Sequence, residues 1–322
     1  MKKLISLLLC ACLLLPLGAT AFAIPLSSGD DALRGQFVGA NGDGLDYRYF
    51  APALKEGVKY PLMIWLHGVA SGDYPGDQVD SYEFCRWASD EFQARSADGG
   101  MYLFCPRCPG GWDLTTPATL KRCIDGFIAA HKDSVDTNRI YIAGFSVGAT
   151  MVLKVTSSYP DFFAAAIPIC AVIQDGSQLS AISKMAVWLF ANDQDGFLSA
   201  NTASTRNSFN ALKNNAPDKS KIRFTHVSKA VTSSGGSITT QHYMWRTFTN
   251  DMFMDDGSSY AYATTEDGTG ATIQFSYPNG IISWLTRQSK ETQKPAGQQK
   301  SFFQRIADFF RRIAAFFSKL FQ

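Results

Sequence analysis

The stretch RIYIAGFSVGATMVLKVTSS, residues 139–158, decides how this chain is read. Residues 139–143 form a short, apolar, β-rich run, which predicts a strand. Residues 149–158 follow a helical pattern. Between them stands Gly144-Phe145-Ser146-Val147-Gly148. A G-x-S-x-G pentapeptide occurs by chance in many chains, but at a strand-to-helix turn it has the context of a nucleophile elbow. The flanking glycines relieve crowding around a strained serine at the strand tip, and the helix amino end favours nearby negative charge. Ser146 is the candidate nucleophile.

A serine hydroxyl needs a base, and after an elbow of this kind the acid and then the base follow in the chain. Of the four histidines, only His226 and His242 come after Ser146. His226 falls within the strand pattern Ile222–Val227 and reads as a packed or edge residue. His242 follows the largely polar run 233–241, precedes Tyr243-Met244-Trp245 and reads as a loop residue, so it is the candidate base. The acid is expected just past the strand at 186–191, where Asn192-Asp193-Gln194-Asp195 follows. Spacing leaves Asp193 and Asp195 equal. His67-Gly68 closes the strand at 62–66, and the loop after that strand supplies an oxyanion-hole amide in such an arrangement. The N–H groups of Val69 and Val147 are the expected pair. His67 reads first as structural and second as a substrate contact. Trp112, after Pro109-Gly110-Gly111 at a strand's carboxyl end, is a candidate to stack on a sugar or aryl group, with plain packing as the other reading. His131 precedes the serine and reads as an ordinary half-exposed residue near a helix end.

Working outward, further β-rich runs lie at 101–105, 163–171 and Ile222–Val227, with a helical pattern at 119–132. Alternation at this spacing predicts a mostly parallel central sheet with helices on both faces and right-handed crossovers. Ahead of it, 36–40 and 46–50 flank Gly42-Asp43-Gly44, a hairpin signal. Ligand sites in such sheets lie at the carboxyl ends of the strands, and that is the test each candidate must pass.

The ends differ from the body. The whole chain of 322 residues carries a formal charge of +2, but residues 1–23 contribute +2 and 288–322 contribute +5, leaving 24–287 at −5. So small a net charge argues against a generic nucleic-acid binder. Lys2-Lys3, the apolar run to Leu17 and Ala21-Phe22-Ala23 read as a cleaved export signal over 1–23. No internal run of 18 apolar residues suggests a spanning helix. The body is expected over 24–287, a polar linker over 288–300 and an amphipathic helix over 301–322. That last segment repeats a heptad three times, beginning at Phe302, Phe309 and Phe316. Aromatic side chains fall on one face, with Arg305, Arg311, Arg312 and Lys319 beside or opposite it. This is the pattern of an interfacial helix, expected to associate with a membrane or envelope; self-association and docking on the body are the alternatives. Five cysteines lie beyond the signal: Cys85, Cys105, Cys108, Cys123 and Cys170. In an exported protein they are disulfide candidates, and an odd number leaves at least one free. Cys170, in an apolar run, is the expected buried thiol. Cys105-Pro-Arg-Cys108 has a metal or redox spacing without a second CxxC or a nearby histidine, so no metal site is expected.

With these residues assembled, the chain resembles secreted α/β-hydrolases of the group that includes carbohydrate esterase family 1, polyhydroxybutyrate depolymerase-like esterases and prolyl oligopeptidase-family or dienelactone hydrolase-like proteins. The resemblance is carried by PLMIWLHGVASG (61–72), DTNRIYIAGFSVGATM (136–151), YPDFFAAAIPICA (159–171), VWLFANDQD (187–195) and HYMW (242–245). It implies an α/β-hydrolase fold. It also implies Asp195 as the acid, since the family's acid is the last residue of a strand-His-Gly-x-x-Asp pattern. A Gly-His-x-x-Trp pattern implies His242 as base with Trp245 behind it, a further possible substrate contact. Three departures stand out: Ala191-Asn192 in place of His-Gly, Val147 and Ala149 in place of Met and Gly, and a long excursion over 250–277 carrying Tyr260, Tyr262 and Phe275. The excursion is expected to be a flap over the site or a surface hairpin. The resulting expectation is a secreted Ser146–His242–Asp195 serine esterase without metal or cofactor, acting on acetyl or feruloyl esters of polysaccharides. A serine peptidase and a non-catalytic binding module are the alternatives.

Overall fold

The structure is a computed structural model and describes residues 31–69, 76–96, 98–171, 176–196, 202–229, 241–244, 262–273 and 280–290. The expected export signal and the segment 301–322 lie outside these residues, as do Trp245, Tyr260 and Phe275.

Ten strands build one sheet: β1 (Val38–Gly42), β2 (Leu45–Phe50), β3 (Tyr60–Leu66), β4 (Tyr102–Pro106), β5 (Val135–Phe145), β6 (Ala165–Ile169), β7 (Ala186–Asn192), β8 (Ile222–Val227), β9 (Ala263–Asp267) and β10 (Thr272–Ile273). Their spatial order is β1-β2-β4-β3-β5-β6-β7-β8-β9-β10. The six central strands from β4 to β8 pair in parallel, and both edges are antiparallel. Seven α-helices accompany them up to residue 215: α1 (Asp31–Arg34), α2 (Asp77–Asp80), α3 (Asp90–Ala94), α4 (Pro117–Ala130), α5 (Val147–Ser158), α6 (Gly176–Ile182) and α7 (Thr202–Asn215). A short helix, Ile281–Leu285, closes the described body.

The alternation on β3 shows why the sheet is covered on both sides. Met63 and Trp65 enter one core layer, with Phe84, Trp87 and Trp188. Leu62, Ile64 and Leu66 enter the other, with Phe127, Val152 and Leu153. Every residue of β3 is buried, as expected of a central parallel strand.

The first hairpin forms with its leading strand two residues later than expected. Asp43 and Gly44 both take positive φ, 53° and 86°, which is the two-residue turn matched to strand twist, and Gly42 faces Leu45 across it. The described part of the excursion is a hairpin, β9–β10, in which β9 adds antiparallel to β8. The packed body also reaches past residue 287. The carbonyl of Gln288 accepts from Tyr141 Oη at 3.0 Å, and Gln288 Nε2 donates to Trp284 O at 2.8 Å.

Candidate active site

Ser146 stands between β5 and α5 with φ 57° and ψ −119°. Positive φ is a strained conformation for a residue with a β-carbon. It is held by the Ser146 N–H donating to Ile169 O of β6 at 2.9 Å and by Thr150 N–H donating to Ser146 O at 3.1 Å. The glycines make this close crossing possible. A β-carbon on Gly148 would lie 2.4 Å from the carbonyl oxygens of Leu66 and His67, and one on Gly144 would lie 2.7 Å from the Gly148 backbone. Either contact is well inside van der Waals separation, so the pentapeptide is a packing requirement as well as a chemical one.

Three separate elements converge on the Ser146 hydroxyl. His242 lies in a short 3₁₀ turn, Gln241–Tyr243. Its Nε2 is 3.0 Å from Ser146 Oγ, and its Nδ1 is 2.6 Å from Asp195 Oδ2. An ionised carboxylate only accepts, so Nδ1 carries the proton and Nε2 turns its lone pair toward the serine. The His242 ring packs against Phe145, with centroids 4.7 Å apart. The His242 and Asp195 side chains are 6% and 0% exposed. At this burial their hydrogen bonds are little screened by water.

The turn after β7 decides between the two aspartates by direction. Asp195 points inward. Asp193 turns outward to His226, with both carboxylate oxygens 3.2 Å from Nδ1, and accepts from the Thr202 hydroxyl. Asn192 shapes this turn and escaped the sequence reading, where it appeared only as a departure from His-Gly. Its Oδ1 accepts from Gln194 N–H at 2.7 Å. Its Nδ2 donates to Gln241 Oε1 at 3.2 Å. One buried amide thus ties the acid's turn to the turn that carries His242.

His67 and Trp112 are both buried, in keeping with the structural reading of His67 and the packing reading of Trp112. They are 0% and 1% exposed. His67 Nδ1 donates to Gly68 O at 2.7 Å and Nε2 accepts from Cys108 N–H at 3.1 Å. Trp112 Nε1 donates to His67 O at 2.8 Å. Together they lock the loop after β3 to the loop after β4. Lys154 Nζ, 2.9 Å from Asp113 Oδ1, fastens the Trp112–Leu114 turn to α5. Val69 stands just beyond this lock and is 59% exposed. Val147 is the first residue of α5, where backbone N–H groups have no intrahelical acceptor. His131 stacks on Phe127, and its Nδ1 lies 2.9 Å from Phe127 O, at the end of α4.

All five described cysteines are buried free thiols, against the expectation of disulfides. Cys105 packs in one core layer and Cys108 in the other, so their close spacing in sequence does not bring the thiols to one site. Burial pushes Cys123 up to about 12 and raises Cys105 well above the ordinary thiol range. Cys170, Asp195 and His242 offer ligand atoms within 4.8 Å of one another. His242 Nδ1 is engaged by Asp195, and burial raises the Cys170 thiol above its ordinary range.

Residues 110–215 match the family described as Esterase PHB depolymerase, a span that includes Ser146 and Asp195 and ends before His242. Over 122 residues the chain is 41% identical to poly(3-hydroxyalkanoate) depolymerase C of Paucimonas lemoignei, covering 34% of this chain and 27% of that one. Over 120 residues it is 30% identical to feruloyl esterase B of Thermothelomyces thermophilus, covering 33% of this chain and 37% of that one. The chain thus matches about a quarter to a little over a third of the length of these curated relatives. The crystal structure of a thermostable esterase superposes with a TM-score of 0.60 at 22% identity, covering 80% of this chain and 64% of that one. The chain has the α/β-hydrolase fold, and over the matched stretches it is similar to these esterases.

Proposed function

We propose that the chain is a serine esterase that cleaves carboxylic esters through an acyl-enzyme. The observation that carries this reading is the buried relay from Asp195 through His242 to the Ser146 hydroxyl, with separations of 2.6 and 3.0 Å. In the proposed reaction Ser146 Oγ attacks the ester carbonyl as His242 Nε2 takes its proton. Asp195 holds the imidazole in the required tautomer and balances its charge. The Val69 and Val147 N–H groups receive the oxyanion, which two amides stabilise by several kcal/mol. His242 returns the proton to the leaving alcohol. Water, activated by the same imidazole, then releases the acid and restores Ser146.

The proposed substrates are esters borne on polymers: acetyl or feruloyl groups on polysaccharides, or a polyester chain. The names of the relatives and the exposed apolar side chains of Val69 and Leu114 beyond β3 and β4 support this class. The test is hydrolysis of p-nitrophenyl acetate, p-nitrophenyl butyrate and methyl ferulate by the full chain. Ser146→Ala is expected to lower the rate by at least about 10³-fold and to abolish fluorophosphonate labelling. Turnover that survives this substitution overturns the reading. Cleavage of small peptides without cleavage of esters would move it to a serine peptidase, and a folded chain that neither labels nor turns over would move it to a binding module.

We also propose export, supported by the pattern of residues 1–23, and envelope association through residues 301–322, supported by their repeated aromatic and basic heptads. Each cation near an anionic surface is worth about 1 kcal/mol. Reversing Arg305, Arg311 and Arg312 to Glu in the full chain is therefore expected to weaken binding to phosphatidylglycerol vesicles by at least about 10²-fold. Equal binding by the variant would refute the association.

A further inference from the structure

One buried thiol stands against the proposed relay without a part in it. Cys170 is the first residue after β6, the strand between β5, which leads to Ser146, and β7, which leads to Asp195. Its φ is 51°, a left-handed conformation that is costly for a residue with a β-carbon. The backbone holds it there from both sides. Cys170 N–H donates to Phe190 O of β7 at 2.9 Å, while the carbonyl before it, Ile169 O, accepts the Ser146 N–H at 2.9 Å. The peptide link between Ile169 and Cys170 therefore ties the nucleophile's strand to the acid's strand, and the left-handed turn aims the side chain at the relay.

The side chain lands among the groups that matter. Its Sγ, an Asp195 carboxylate oxygen and a His242 ring nitrogen lie within 4.8 Å of one another, and Sγ is 3.2 Å from Sδ of Met244, two residues beyond His242. All four residues are buried. Burial and then the charge of Asp195 hold the thiol protonated well above the ordinary range, so what faces the carboxylate is a donor. A carboxylate is a far better acceptor than a thioether. His242 from the 3₁₀ turn and Cys170 from the tip of β6 are titratable groups that face Asp195. Asp193, from the same turn as Asp195, faces His226 instead.

We propose that Cys170 is a positioning residue, whose S–H donates to the Asp195 carboxylate while its sulfur packs on Met244, holding acid and base in register with Ser146. The inference rests on the esterase reading. It differs from simple core filling in that it requires the hydrogen, and Ser retains that hydrogen where Ala does not.

The test compares Cys170→Ala and Cys170→Ser in the full chain by kcat, KM and the pH profile of kcat/KM on p-nitrophenyl butyrate. Losing one net hydrogen bond corresponds to about five-fold in rate. Cys170→Ala is expected to lower kcat by about that factor with KM unchanged. It is also expected to move the acid limb of the profile upward by about half a pH unit, because a carboxylate without its second donor concentrates its charge on the imidazolium. Cys170→Ser is expected to restore the position of that limb. Identical limbs in Ala, Ser and wild type overturn the proposal, whatever happens to melting temperature. Should the Ala variant not fold, the S–H stretching band in the infrared difference between wild type and Cys170→Ser decides. A band shifted below those of the other thiols supports the hydrogen bond, and an unshifted band refutes it. That band does not depend on turnover, so activity surviving Ser146→Ala would sink the esterase reading without touching this measurement.

Discussion

Among the described residues, two histidine–aspartate pairs are built from neighbouring pieces of chain, and one of them meets a serine. Asp193 and Asp195 share the turn after β7. Asp193 pairs with His226 of β8 at 3.2 Å, with side chains 35% and 27% exposed. Asp195 pairs with His242 at 2.6 Å, with side chains 0% and 6% exposed. Two residues along one turn separate a partly exposed hydrogen-bonded pair from a buried relay. The chemical groups are the same in both, so what differs is their surroundings. The outer pair is partly exposed and screened by water. The inner pair is enclosed, has the Ser146 hydroxyl on the free face of its imidazole, and is braced by Asn192, Gln241 and Cys170. A histidine beside an aspartate is thus no site by itself. The third group and the exclusion of water are what allow the pair to do chemistry.

The comparison is most sharply tested by breaking the inner pair. His242→Ala is expected to lower ester hydrolysis by at least about 10³-fold, and combining it with Ser146→Ala should lower it little further, because residues acting as one unit are not additive. Asp195→Asn keeps the shape but changes the hydrogen-bonding partner of Nδ1, favouring the wrong tautomer, and is expected to cost about 10²- to 10⁴-fold in kcat. Steady-state kinetics with a single p-nitrophenyl ester measures all three. A loss below ten-fold in either single variant would mean that the relay seen in the geometry is not the one used in turnover.

How much of this arrangement was legible before the fold was known depended on the range of the interaction. Ser146 was legible because the elbow is a local constraint: the backbone demands glycine at 144 and 148, and both appear in the sequence within five residues. The parallel sheet was legible for the same reason, since burial on both faces leaves continuous apolar runs. The choice between Asp193 and Asp195 was not available from spacing, because direction within a turn depends on Asn192, whose partner Gln241 lies 49 residues away. Resemblance pointed to Asp195, and that is the side chain found beside His242. His67 and Trp112 left two readings open for the opposite reason. Polar and aromatic residues at strand ends look like ligand contacts in sequence. Here Trp112 donates to the His67 carbonyl across 45 residues and the His67 ring is held by Gly68 O and Cys108 N–H, so both are sealed inside. Cys170 read only as a buried thiol, since nothing local reveals that its neighbours include a carboxylate.

The outer pair supplies the smallest expected effect and the cleanest control. His226→Ala and Asp193→Asn leave the turn's main anchors in place: Asp193 N–H still donates to Val227 O at 2.9 Å, and Asn192 still holds Gln194 and Gln241. Exposed pairs of this kind contribute about 0–1 kcal/mol, so each variant is expected to shift the melting temperature by less than about 4 °C and ester hydrolysis by less than about two-fold. The information lies in the contrast with Asp195→Asn, which makes the same chemical change two residues away. If the two Asp→Asn variants lose comparable activity, the turn as a whole is being damaged and the inner pair has no special standing. If only Asp195→Asn loses it, while both retain their melting temperatures, the loss belongs to the relay rather than to the fold. A His226→Ala variant that lost activity as His242→Ala does would break the comparison outright. It would require the surface histidine to reach Ser146, which its partner Asp193 holds it away from.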